Sequence, residues 1–198
     1  MKQDYYNKIK LMCSSCVACN LCDNRTQVVF GYGDFRASVM FVGRDPGADE
    51  DYLGIPFVGR AGERLQQSLN KIGINRRLNV IKDNTFNSSG LYITNLNKCH
   101  SEKNIGPTEE QRQACFKWLK KEIRFIKPQK IVLFGKDVME FILGKIGSIT
   151  QVAGKEFKCV ETGIVFIPML HTSYLIRNLN KVELQEEFDL YIAKIFEM

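Results

Sequence analysis

Apolar positions fall into four short runs, separated by stretches with helical spacing. Residues 38–43 (SVMFVG) form an apolar run closed by a glycine, the pattern of a buried strand. Residues 91–94 (LYIT), 130–134 (KIVLF) and 163–169 (GIVFIPM) repeat it. Between the first two, residues 59–73 place Leu65, Leu69 and Ile72 on one helical face, and Gly73 stops the helix. Pro107 to Gln111 reads as a helix start with Thr108 as N-cap and Gln111 completing a capping box. That helix would carry Cys115, Trp118, Leu119 and Ile123 inward. Gly135 opens a further helix running through Leu143, and residues 182–197 are helical by pattern.

Strands alternating with helices predict parallel pairing in an α/β fold. The expected architecture is a three-layer α/β/α sandwich around a mostly parallel four-stranded sheet. Sites in such sheets lie beyond the carboxyl ends of the strands. The segments that follow strands one, two and four read GRDPGADE, NLNKCH and LHTSYLIR, and the chemistry is expected there.

Composition adds limits. The chain has 198 residues, 44% apolar and 25% charged, with a net charge of +6. These values exclude a disordered acidic tail, a collagen-like repeat and a coiled coil. A single domain over residues 1–198 is expected, large enough to fold without staples. No run of 18 apolar residues is present, so no membrane span is expected. The polar start, MKQDYYNKIKLMCSSC, is unlike a secretory signal, and the expected compartment is the cytoplasm. The positive surplus permits a polyanionic partner without requiring one.

The seven cysteines say more. Cys13, Cys16, Cys19 and Cys22 form a ladder of C-x2-C steps, while Cys99 and Cys115 lie far along the chain. In a reducing compartment such clusters read as metal sites. Two thiolates from one turn need two more, and Cys99 and Cys115 are the natural second pair. Four thiolates suit zinc or an iron–sulfur cluster, and spacing does not choose between them.

The motifs, taken in order, resemble the uracil-DNA glycosylase superfamily, most closely its iron–sulfur branch, family 4. They are C-x2-C at Cys16 and Cys19, NRTQVVFGYG (24–33), G-x-x-P-G (43–47), GIPFVGRAG (54–62), YITN-x-x-KC (92–99), Cys115, and H-x-S-Y-L-x-R (171–177). The resemblance implies a 4Fe–4S cluster on Cys16, Cys19, Cys99 and Cys115, acting as a structural tie for the N-terminal arm. It implies that DNA carrying the target base is the partner. No obligate protein partner and no membrane are implied.

The resemblance also implies roles. Phe57 would stack on a base flipped out of DNA, a contact worth roughly 1–3 kcal/mol. Asn95 would read that base through its amide, which suits N3–H and O4 of uracil or, turned over, cytosine. His171 would donate to O2 of the leaving base as charge builds there. Leu175 would fill the hole in the duplex, and Arg177 would hold phosphate.

The chain departs from the family at Gly43-Arg44-Asp45-Pro46-Gly47. Arg44 stands where family 4 has glutamate. Asp45 matches the water-activating aspartate of family 1, so it is expected to orient the attacking water and stabilise the cationic sugar. Gly47 replaces the family 1 tyrosine that excludes C5 substituents. With Arg44 and Asn97 it could shape a polar room for a substituted base. His100-Ser101 replace an Arg-Pro pair, and Thr172 replaces the usual proline. The leading reading is a monofunctional DNA glycosylase acting on uracil. The alternatives are the same chemistry on a C5-modified pyrimidine, a DNA-binding module disabled by Arg44, and a zinc protein.

Overall fold

A computed structural model describes residues 2–74, 90–101 and 105–197. The first strands are β1 (Tyr32–Gly33), β2 (Val39–Gly43) and β3 (Leu91–Asn95), followed by β4 (Lys130–Phe134), β5 (Phe157–Lys158) and β6 (Val165–Met169). They form one sheet in the order β1-β3-β2-β4-β6-β5. The central four are parallel, and β1 and β5 pair antiparallel at the edges. The four strands expected from the sequence are this parallel centre. The expected four-stranded sheet is thus corrected to six strands among the described residues, because two-residue edge strands are too short to leave a pattern in the sequence.

Both faces of the sheet are covered, which is why its strands read as unbroken apolar runs. Met40, Val42, Tyr92, Ile131 and Leu133 face one core, built with α1 (Lys2–Ser14), α4 (Glu109–Ile126) and α5 (Lys136–Leu143). Val39, Phe41, Leu91, Ile93, Val132 and Phe134 face the other, built with α3 (Arg60–Lys71) and α8 (Val182–Phe196). Adjacent residues on β2 thus serve opposite cores, as the pleat requires.

Three short α-helices are also present: α2 (Ala48–Leu53), α6 (Ile149–Val152) and α7 (Thr172–Ile176). The capping box at Thr108 and Gln111 is present and starts α4. That helix buries Cys115, Trp118 and Leu119 as expected, together with Glu122 and Ile126; Ile123 is partly buried. No helix among the described residues is long and apolar enough to cross a membrane.

Candidate active site

The carboxyl ends of the parallel strands bring the candidate residues together. Gly43 at the end of β2 lies in register with Asn95 at the end of β3, and Phe134 of β4 with Met169 of β6. The segments that follow surround an open cavity of about 800 Å³. Arg44, Asp45, Gly47, Phe57, Asn95, His171 and Arg177 all line it.

Two expected residues lie elsewhere. The Asn97 side chain is fully buried and donates from Nδ2 to the backbone carbonyl of Gln111 at 3.1 Å. It fastens the loop after β3 to the first turn of α4 and is not a wall of the cavity. Leu175 is fully buried in the core that contains Phe188 and Ile192. It sits on the inner side of one-turn α7 and does not project toward a duplex.

Phe57 is held by close approach. Its backbone has a positive φ of 57°, a conformation that costs energy for a residue with a side chain and recurs at functional sites. Gly62, in the first turn of α3, permits it. A Cβ at Gly62 would lie 1.8 Å from the Phe57 carbonyl oxygen. The Phe57 ring passes over Gly43, where a Cβ would meet it at 2.7 Å and meet Asn95 Oδ1 at 2.3 Å. Ring centroids lie 5.8 Å from Phe134 and 6.3 Å from His171.

Glu50, in α2, secures the same loop. Its Oε1 accepts from the backbone N–H of Val58 at 2.9 Å and of Gly59 at 2.8 Å. A Cβ on Gly47 would approach the other carboxylate oxygen to 2.5 Å. The space expected beside Gly47 is therefore largely taken by Glu50.

Arg44 and Asp45 form a pair. Arg44 Nε donates to Asp45 Oδ1 at 2.5 Å, and Nη1 donates to Asp137 Oδ2 at 3.3 Å. Asp45 Oδ2 accepts from the Ser101 hydroxyl. Asp45 is therefore held from both sides, with its side chain nearly buried. His100 Nδ1 meets the Pro46 carbonyl at 2.8 Å, which fixes the turn that presents Asp45.

His171 caps α7, and its Nδ1 accepts from the Ser173 backbone N–H at 3.1 Å. The neutral ring therefore carries its proton on Nε2. Burial, then the positive charge of Arg44, lowers its pKa to about 4.

A second centre forms on the opposite side of the loop after β3. Cys16, Cys19, Cys99 and Cys115 line one small cavity, together with Cys13, Arg25, Val28, Trp118 and others. Three N–H groups point at sulfur. Arg25 Nη1 donates to Cys99 Sγ at 3.2 Å, Lys98 N to Cys115 Sγ at 3.3 Å, and Trp118 Nε1 to Cys16 Sγ at 3.3 Å. Burial raises the Cys115 thiol to about 11, against the opposing charge of Lys98. Among the described residues no three His, Cys, Asp or Glu side chains are disposed to hold a single metal ion. Four cysteine donors with N–H groups aimed at their sulfurs match the chemistry of a 4Fe–4S site, in which hydrogen bonds to sulfur tune the cluster.

Sequence reasoning missed Glu50, Ser101 and Asp137. Ser101 stood out only as a replacement, Glu50 only as the last residue of the segment GRDPGADE, and Asp137 not at all. Each acts through a contact many residues away.

Residues 30–196 match the sequence profile of the Uracil DNA glycosylase superfamily. The chain is similar to a protein named type-4 uracil-DNA glycosylase from Thermotoga maritima, 40% identical over 82% of this chain and 79% of the relative. It is also similar to proteins of that name from Sulfurisphaera tokodaii, 37% identical over 93% of this chain and 81% of the relative, and Archaeoglobus fulgidus, 33% identical over 93% and 88%. A cleft at the carboxyl end of a parallel sheet, a matching profile and these relatives lead to one conclusion: the chain belongs to the Uracil DNA glycosylase superfamily.

Proposed function

We propose that this protein is a monofunctional DNA glycosylase that hydrolyses the N-glycosidic bond of uracil in DNA and leaves an abasic site. The observation that carries this reading is the convergence of Asp45, Asn95, Phe57 and His171 on one cleft. The type-4 names of its relatives support uracil as the base.

The base is flipped from the duplex at a cost of a few kcal/mol and stacks on Phe57. Asn95 pairs with N3–H and O4. As the bond from C1′ to N1 lengthens, its electron pair moves onto the base and charge gathers at O2. The Nε2–H of neutral His171 donates there, and the sugar acquires oxocarbenium character. Asp45, paired with Arg44, faces that cation and orients the water that attacks C1′. The water oxygen forms the new bond to C1′, its proton passes to solvent or Asp45, and the uracil anion takes a proton from solvent. Water is the nucleophile, so the strand stays intact. Arg177, Arg60 and Lys136, which also line the cleft, are placed for DNA phosphates.

Cys16, Cys19, Cys99 and Cys115 would hold the 4Fe–4S cluster. When bound, it supplies a covalent tie between the N-terminal arm, the loop after β3 and α4. The protein acts on DNA in the cytoplasm.

The direct test is incubation with a single-uracil oligonucleotide followed by alkali. Alkali-dependent cleavage at the uracil is expected, with free uracil released and no cleavage before alkali. A uracil strand left intact would overturn the reading.

A further inference from the structure

Among the described residues, the most deeply buried charged pair lies outside the cleft and has no part in the chemistry above. Lys98 is 1% exposed and Glu122 is fully buried. Lys98 Nζ donates to Glu122 Oε2 at 2.5 Å, to Thr94 Oγ1 at 2.6 Å and to the backbone carbonyl of Asn95 at 2.5 Å. An ammonium has three donors, and all three are used. Glu122 Oε1 accepts from the Gly31 backbone N–H at 2.8 Å and from the Tyr92 hydroxyl at 3.0 Å.

A buried ion pair is a poor device for stability, since apolar residues of equal volume often serve as well. What it supplies is direction. The Lys98 side chain folds back on its own chain and clamps the main chain of Asn95, closing the turn over 95–98. Its backbone N–H meanwhile donates to Cys115 Sγ at 3.3 Å, and the next residue is Cys99. One residue thus grips the base-reading strand end with its side chain and the cysteine centre with its backbone. The Asn95 amide projects the other way, into the slot that Gly43 leaves open.

We propose that the Lys98–Glu122 pair is a positioning element: it sets the direction of the Asn95 amide and couples it mechanically to the cysteine centre. This rests on the reading of Asn95 as the base-contacting amide.

The test compares wild type with Lys98→Met/Glu122→Gln, which removes both charges together, and with Thr94→Val. The valine variant deletes one of the three acceptors and leaves the ion pair, so the test survives if the double variant does not fold. Single-turnover excision from uracil DNA should fall at least about tenfold in the double variant and about threefold in Thr94→Val, since small displacements of a reacting group have large effects. Inhibition by free uracil should weaken in parallel. Affinity for abasic-site DNA, which the cleft cations supply, should stay within about twofold. Hydrogen exchange of amides 94–99 should accelerate in both variants. Folded variants with wild-type excision and unchanged exchange would overturn the proposal. If wild type releases no uracil, the glycosylase reading fails by itself. Exchange at 94–99, read with visible absorption of the cluster, then decides the positional claim.

Discussion

Ser173 donates its backbone N–H to His171 Nδ1 at 3.1 Å, and a charged imidazole would have to point a second N–H at that donor. The contact and the depressed pKa of about 4 agree that the ring is neutral at working pH. Excision should therefore hold its rate on the acid side of neutrality and fall only as pH nears about 4, as a pH–rate profile would show. Stability carries the same sign. Below about 6.5 the unfolded chain binds a proton that folded His171 refuses, so stability declines from there toward about 4. The melting temperature of His171→Gln should depend less on pH in that window. His171→Ala should cost about 10²–10³-fold in excision.

Asp45 accepts from Arg44 on one oxygen and from Ser101 on the other. Asp45→Asn should lower single-turnover excision by about 10²-fold or more, with DNA affinity nearly unchanged. Ser101→Ala frees one oxygen and should have a smaller effect in the same assay. Equal loss of DNA binding in Asp45→Asn would place this residue in docking and not in chemistry.

The two glycines around Phe57 should separate chemistry from folding. Gly62→Ala drives a Cβ into the Phe57 backbone, which cannot yield as a side-chain tip can. A loss of about 2 kcal/mol or more is expected in denaturant unfolding. Gly43→Ala meets the Phe57 ring and the Asn95 amide. It should cost excision more than stability, as kinetics and melting on one sample would show.

Cys115→Ser should abolish broad absorption near about 400 nm and lower the iron content. It should also loosen the arm carrying α1, visible as faster proteolysis before residue 30. Arg25 donates to Cys99 Sγ and to the carbonyls of Cys16 and Ser14. Arg25→Ala should keep the absorption but shift it, and make the cluster easier to lose to a chelator.

The parallel centre was legible because strands covered on both faces are apolar throughout, and a capping box at Thr108 carries its own local chemistry. The places of Asp45, Asn95 and His171 in the cleft were legible because Asn95 ends a strand and the other two sit just past one. Asn97 shows the limit. It stands two residues beyond Asn95, past the strand, where alternation no longer predicts direction, and it turns to α4. Leu175 lies in a helix of five residues, too short for periodicity to reveal its inner side. Glu50, Ser101 and Asp137 depend on partners brought near only by the fold.

Among the described residues the sheet ends at both sides in antiparallel strands of two residues each. A row of unpaired backbone groups that short gives a neighbouring chain almost nothing to pair with. The long, strongly apolar strands that would be hazardous at an edge are all interior. Native molecules can thus be crowded along a DNA lattice without zippering together through their sheets, and self-association by strand addition would first require the core to open.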